Sequence, residues 1–265
     1  MPRAAVLGSP IAHSLSPRLH RAAYASLGLA DWTYGRIECD EIGLRALLSG
    51  LTDDWAGVSL TMPLKRLALA VATTASPLAT QVGAANTLLL GDGRRHAENT
   101  DVLGMVDALR EVGCSAPRTA LVLGAGGTAA AALAALRELG IAEVAVATRN
   151  PDRALELELA AERLGVAVAV FPLASAAAAG WVDVVVSALP AGAADPLARA
   201  GMARSGTTLL DTIYDPWPTA LAAVWQQVGA PVVGGADLLV HQAAHQVRLM
   251  TGRSVDVRVL RDALG

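Results

Sequence analysis

The sequence predicts an α/β protein of two domains, and three observations carry that prediction. The 265-residue chain is 53% hydrophobic and only 17% charged, which fits densely packed cores and argues against disorder. From residue 119 onward, apolar runs of strand length alternate with helix-length segments, the pattern of parallel strands joined by right-handed crossovers. Leu121, Val122 and Leu123 lead into Gly124-Ala125-Gly126-Gly127 and then an alanine-rich run, which reads as strand, tight turn and helix.

Taken in order, residues 3–8 read as a first strand, and a polar turn over 9–16 leads to a helix beginning near Pro17. Ser16 is placed to cap that helix and Ser14 to serve the turn. Residues 32–38 and 56–60 read as strands with helical spacing over 41–48 between them. Thr61-Met62-Pro63 repeats the capping residue with proline that opens a helix. Residues 84–90 and 94–99, separated by Gly91-Asp92-Gly93, form a hairpin signal. Residues 101–112 read as a helix. Residues 113–117 are rich in turn formers and mark the edge of a second domain.

Beyond that edge the strands fall at 119–123, 143–148, 166–171, 182–187, 207–212 and 231–233, with helices between, which predicts a parallel, doubly wound sheet. The run 174–179 is compositionally simple and reads as a surface helix or loop. Two helical stretches, 237–250 and 255–263, close the chain.

The net charge of −3 gives no electrostatic invitation to nucleic acid or to an anionic membrane. The 18 uncharged residues between Arg118 and Arg137 match a membrane span in length, but glycines interrupt them, so they read as strand, turn and helix. The first residues contain too short an apolar part for a signal peptide. Cys39 and Cys114 lie far apart without metal-ligand spacing and read as buried, reduced thiols of a cytoplasmic protein.

A helix that starts at the glycine turn aims unpaired amide donors at it, as where a pyrophosphate binds in dinucleotide folds. Gly124, Ala125, Gly126 and Gly127 are therefore candidate cofactor contacts, on the strand and helix context more than on the spacing alone. In an NAD-binding unit an acidic residue about 20 positions later holds the ribose hydroxyls. That position carries Arg149, flanked by Thr148 and Asn150 with Arg153 one turn on. A guanidinium there pairs with a 2′-phosphate in forked geometry, so NADP is the expected cofactor. The alternative is a solvated basic edge, with Asp152 neutralising either arginine.

In the N-terminal third, Ser14 and Ser16 stand two residues apart before a helix. Thr61 and Lys65 follow a strand, Asn86-Thr87 lies in the first strand of the hairpin, and Asn99-Thr100-Asp101 stands at its end. Each alone is ordinary turn or cap chemistry. Together and in this order, with the glycine turn, Thr148-Arg149-Asn150, Asp211-x-x-Tyr214-x-Pro216-x-x-Thr219 and Gln242-Ala243-Ala244, they resemble the shikimate dehydrogenase family along essentially the whole chain.

The resemblance implies an N-terminal α/β substrate domain over 1–104, with 237–265 packing back on it, and a Rossmann-like NADP domain over 105–236, flanking a cleft. It implies reversible reduction of 3-dehydroshikimate to shikimate, in aromatic amino-acid biosynthesis. Lys65 and Asp101 would be the catalytic pair at the C3 oxygen. Ser14 and Ser16 would hold the substrate carboxylate with support from Tyr214, and Thr61, Asn86 and Gln242 would position ring hydroxyls. Gly235 joins the expected cofactor contacts. An ammonium stabilises an alkoxide and can deliver a proton, and a carboxylate beside it orients it, so no metal is expected. His13 reads as a structural hydrogen-bonding residue. The expected partners are the small-molecule substrate and NADP, in a monomer or homodimer.

The chain departs from the family pattern in places. Ser59 stands where asparagine is frequent and loses an amide donor, Arg21 replaces a common asparagine, Ser187-Ala188-Leu189 replaces Asn-Ala-Thr, and Leu238 replaces a frequent methionine. The rivals are a quinate/shikimate dehydrogenase-like paralogue, for which Ser59 would make room, and a catalytically silent binding or regulatory module of the same family. Retention of Lys65 and Asp101 argues against the silent module. A folate-interconverting dehydrogenase would leave the Ser14/Ser16 turn unexplained.

Overall fold

The computed structural model describes residues 1–151 and 154–265, which divide into two compact units: Met1–Gly104 with Leu239–Gly265, and Met105–Leu238. The first unit begins β1 (Arg3–Gly8), α1 (Ser16–Ser26), β2 (Thr33–Glu38), α2 (Leu44–Ser49) and β3 (Trp55–Leu60). It continues α3 (Leu67–Val71), β4 (Thr74–Ala75), α4 (Pro77–Val82), β5 (Thr87–Gly91), β6 (Arg94–Glu98) and the start of α5 (Thr100–Glu111). Its sheet runs β2-β1-β3-β5-β6-β4, parallel from β2 to β3 and antiparallel from β3 to β6. The β5–β6 hairpin turns on Asp92 and Gly93 with φ of 50° and 68°, the paired left-handed residues that match strand twist.

The second unit carries β7 (Ala120–Leu123), α6 (Gly127–Glu138), β8 (Glu143–Thr148), α7 (Leu155–Leu164) and β9 (Ala167–Pro172). After β10 (Val184–Ser187) come α8 (Asp195–Arg199), β11 (Thr208–Asp211), α9 (Ala220–Gln227) and β12 (Val232–Val233). All six strands are parallel in the order β12-β11-β10-β7-β8-β9, the doubly wound arrangement expected from the strand and helix alternation. The run from Ala129 to Ala135 in α6 is at most 5% exposed. The six alanines of this run let the helix lie close on β7 and β10.

The chain ends in α10 (Gly235–Thr251) and α11 (Val257–Asp262). Val240, Ala243 and Val247 of α10 and Leu260 of α11 pack with Val6, Leu19, Tyr24 and Tyr34 on one face of the first sheet. Leu7, Leu44, Val58, Leu60, Leu64 and Leu88 fill the other face. No helix among the described residues is long and apolar enough to cross a membrane.

Several local expectations need correction. Leu15, with helical dihedrals, occupies the N-cap of α1, and Ser16 is the first helical residue; Ser14 Oγ lies 3.4 Å from the Ser16 N–H. Thr61 does not open a helix. Its N–H extends the parallel ladder onto Leu7 O at 2.9 Å and its carbonyl closes a turn with Leu64 N–H at 2.8 Å, so α3 waits until Leu67. The 3₁₀ helix Leu173–Ala178 replaces the ambiguous alanine run. β4 and α4 were not expected, since each is too short to show periodicity. Cys39 is buried, Cys114 only partly so, and both are free thiols.

Trp225 anchors the second unit's core, fully buried with its Nε1–H donating to Thr207 O at 2.9 Å. Trp225→Ala should lower the stability of that unit by about 3–5 kcal/mol through the cavity and the lost hydrogen bond, read as a fall in the denaturant midpoint.

Candidate active site

In the first unit, backbone pairing fixes the residue on which the polar side chains converge. Asn86 stands just before β5. Its N–H donates to Glu98 O at 3.0 Å and its carbonyl accepts from Leu60 N–H at 2.7 Å, so it is held from both sides. The side chain, 2% exposed, faces the first turn of α5. Thr100 N–H donates to Asn86 Oδ1 at 2.8 Å. A backbone N–H can only donate, so this contact decides which end of the carboxamide is oxygen. The Nδ2 end then donates to Asp101 Oδ1 at 2.8 Å and to Gln242 Oε1 at 3.3 Å.

Asp101 uses its other oxygen for Lys65. Lys65 Nζ lies 2.7 Å from Asp101 Oδ2, with the two side chains 24% and 11% exposed, a largely dry ion pair that keeps an open side. Each partner is anchored through its backbone. Ala85 N–H donates to Lys65 O at 2.8 Å, which ties the lysine's turn to the residue before Asn86. Asp101 N–H donates to Asn99 Oδ1 at 3.1 Å, and the Asn99 amide donates to Ala84 O at 2.9 Å. A carboxylate in the first turn of α5 also sits at the favourable end of the helix dipole.

Gln242 reaches this cluster because α5 and α10 approach closely. A Cβ on Gly104 would lie 2.9 Å from both Gln242 N and Cβ, so only glycine allows the crossing. Gln242 Nε2 donates to Leu239 O at 3.0 Å, leaving Oε1 toward Asn86.

Thr61 and the Ser14/Ser16 turn lie at the C-terminal edge of the same sheet. A Cβ on Gly8 would collide with Thr61 Cγ2, and Ser9 N–H donates to Met62 O at 3.1 Å, which holds the turn after β1 beside the turn after β3. Ser14 is half-buried and Ser16 buried. Glu38 pins the turn, its carboxylate accepting from Ser9 Oγ at 2.6 Å and from Ile11 N–H at 3.0 Å. Sequence reasoning did not single out Glu38, since a glutamate ending a strand reads as solvated surface. His13 is exposed, whereas His20 is buried and hydrogen-bonded to Gln246. Ser59, expected as a lost substrate donor, is 3% exposed and bonded to Tyr34 and Gln246. Burial holds the His20 imidazole down at about 3, so it is neutral, and pushes the Tyr34 phenol up.

The second unit contains the glycine turn and Tyr214. Gly124 has φ of 111° and its Cβ would meet Ala188 O at 3.0 Å, where the ends of the neighbouring strands β7 and β10 stay close, at the topological switch point of the sheet. Gly126 caps α6 with no side chain, is exposed, and would meet nothing within 4 Å with a Cβ. Gly127 begins the helix and Ala125 is half-buried. The helix start therefore offers open N–H donors to an anion. Thr148 is buried at the end of β8, and Arg149 and Asn150 are exposed beyond it; no carboxylate stands at 148–150. This donor set fits a phosphorylated ribose. Arg153, the remaining expected contact, lies outside the described residues.

Gly235 opens α10, where a Cβ would collide with Thr212 O and the Ile213 carbonyl, so close packing requires this glycine. Tyr214 is half-buried on the loop after β11, its phenol pushed up by burial and then by Asp215. Asp211 secures that loop, accepting from Thr219 Oγ1 at 2.6 Å and Ile213 N–H at 3.3 Å, with its carboxyl raised by burial. Among the described residues no group of three or more His, Cys, Asp or Glu side chains is placed to hold a metal ion.

Comparison with known proteins agrees along the chain. Residues 6–88 match the shikimate dehydrogenase substrate binding domain, 107–208 the shikimate/quinate 5-dehydrogenase family, and 235–264 the shikimate 5′-dehydrogenase C-terminal domain. A shikimate dehydrogenase (NADP(+)) of Rubrobacter xylanophilus is 38% identical over 98% of this chain and 94% of its own. Shikimate dehydrogenase of Mycobacterium tuberculosis superposes with a TM-score of 0.89 at 45% identity, covering 100% of this chain and 98% of that one. The shikimate 5-dehydrogenase of Thermus thermophilus, solved with NADP(H) and shikimate, gives 0.86 at 37% identity over 99% and 98%. With the Lys65–Asp101 pair, the Asn86 junction and the glycine turn in place, the chain belongs to the shikimate dehydrogenase family.

Proposed function

We propose that this protein is an NADP-dependent shikimate dehydrogenase that reversibly reduces 3-dehydroshikimate to shikimate. The observation that carries the reading is the 2.7 Å Lys65–Asp101 ion pair, partly exposed and fixed by Asn86. NADPH, when bound, supplies the hydride. Lys65 Nζ then faces the oxygen that gains charge, stabilises it, and gives up one proton to form the C3 hydroxyl; the neutral amine recovers its proton from solvent. Asp101 keeps the ammonium aimed, and Asn86 keeps the carboxylate from rotating. In the oxidative direction the same amine accepts the hydroxyl proton. Ser14 and Ser16 hold the substrate carboxylate with Tyr214, while Thr61, Asn86 and Gln242 orient the ring hydroxyls.

On the nucleotide side, Gly124, Ala125, Gly126 and Gly127 accept the pyrophosphate at the start of α6, and Gly235 lets backbone come close. Arg149, with Thr148 and Asn150, takes the 2′-phosphate. Residues 1–104 with the C-terminal helices serve as the substrate domain and the parallel sheet as the NADP domain. Two free thiols and no net basic charge are compatible with a cytoplasmic enzyme.

Purified protein offered shikimate or quinate with NADP⁺ or NAD⁺ should turn over shikimate with NADP⁺ fastest, followed by nicotinamide absorbance. Quinate with NAD⁺ as the best pairing would overturn the assignment. Lys65→Ala should lower kcat by about 10²–10⁴-fold, and parental speed would remove the lysine from the chemistry. Arg149→Ala should raise KM for NADP⁺ by about tenfold while leaving NAD⁺ kinetics nearly unchanged; equal effects on both nucleotides would show that Arg149 does not read the phosphate.

A further inference from the structure

A second polar cluster of the first unit adjoins Asn86 through Thr87 and Gln246. Tyr34 on β2, Ser59 on β3, Thr87 on β5 and Gln246 on α10 are each at most 3% exposed, and His20 of α1 is fully buried beside them. A fully apolar set would fill this space without the cost of burying five polar side chains.

The hydrogen bonds run in one direction. Gln246 Nε2 lies 3.3 Å from Asn86 O, an acceptor only, so the nitrogen of this amide points to β5 and its oxygen points away. That oxygen accepts from Ser59 Oγ at 2.9 Å and from His20 Nε2 at 3.2 Å. Ser59 in turn accepts from Tyr34 Oη at 2.6 Å. His20 stacks on the Tyr34 ring, with centroids 3.9 Å apart and planes 15° from parallel, which holds both rings in place. On the other side, Gln246 Nε2 donates to Thr87 Oγ1 at 3.0 Å. The Thr87 hydroxyl proton is then free for Asn86 Oδ1, at 3.0 Å. Asn86 Nδ2 passes the sequence on to Asp101, where Lys65 completes it.

We infer that Gln246 and Thr87 are positioning residues for the reaction: through a one-way chain of buried hydrogen bonds from Tyr34 to Asp101 they hold the Asn86 carboxamide in its working orientation. The inference rests on the roles proposed above for Asn86, Asp101 and Lys65. Two glutamines one helical turn apart on α10 serve Asn86 from different sides. Gln242 accepts from its amide nitrogen, and Gln246 supports its carbonyl oxygen through Thr87 and also bonds its backbone carbonyl. Ser59 therefore acts as a relay from Tyr34 to Gln246 instead of a substrate contact. Loss of the Thr87 hydroxyl would leave the Gln246 amide and Asn86 Oδ1 each short of one partner, and Asn86 would gain rotational freedom next to the substrate.

Thr87→Val keeps the shape and strand preference and removes only the hydroxyl, whereas Thr87→Ser restores it. In full-length enzyme, Thr87→Val should raise KM for shikimate and lower kcat by about five- to tenfold each, with KM for NADP⁺ within about twofold of the parent. Thr87→Ser should return both constants to within about twofold, and Gln246→Leu should move them as Thr87→Val does. Parental shikimate KM and kcat in folded Thr87→Val would overturn the inference. So would a loss of Vmax alone that follows a lower Tm, which is the mark of a purely structural role. Lys65→Ala, assayed alongside, separates the two levels: if it stays active the catalytic reading fails, and if it is inactive while Thr87→Val is parental only the relay fails.

Discussion

One amide orientation governs the first unit. The Asn86 carboxamide meets a backbone donor at Thr100, a carboxylate at Asp101, a hydroxyl at Thr87 and a second amide at Gln242, and only one of its two flips satisfies all four. Rotated the other way it would set oxygen against carboxylate and nitrogen against N–H at a side chain that is almost fully buried. The pairing of β5 with β3 and β6, the start of α5 and the packing of α10 all meet at this residue. A structure that must satisfy every one of these contacts has little freedom in where Lys65 and Asp101 stand.

The second unit solves a different problem with small residues. Its candidate site is an opening at a strand-to-helix turn, created by what the side chains leave out. The alanines of α6 bring the helix onto the sheet, Gly124 lets the ends of β7 and β10 come together, and Gly126 leaves the first amides uncovered. An exposed cation, Arg149, stands past the end of β8, where the proposed reading puts the choice between nucleotides. The first unit is specified by polar contacts and the second by steric absence, which is why their sequences look so different.

That difference also explains what could be read without coordinates. The parallel sheet was legible because alternation over more than a hundred residues leaves few topologies, and its strands fall within a residue or two of the expected limits. The hairpin was legible from Asp92-Gly93. Lys65, Asp101, Asn86 and Gln242 stood out only as a set whose order resembles a family; that the four share one hydrogen-bonded cluster is a matter of tertiary distance, with 36 positions between Lys65 and Asp101 and 156 between Asn86 and Gln242. Gln246, Tyr34 and Glu38 carried no signal, because an isolated glutamine on a helix or a tyrosine in a strand is ordinary until its neighbours are known. Thr61 misled because its capping pattern was local, while the ladder to Leu7 that claims its backbone is not.

The tight crossing of α5 and α10 at Gly104 has a consequence for how the chain tolerates change. It clamps two points of the backbone together, and everything between them forms one closed loop that contains the whole second unit. The entropy of closing such a loop grows only with the logarithm of its length, so each doubling costs about 0.6 kcal/mol. Lengthening or trimming the surface turns of the second unit therefore leaves the polar cluster of the first almost unburdened, and the two units are free to diverge in size while the clamp stays the same.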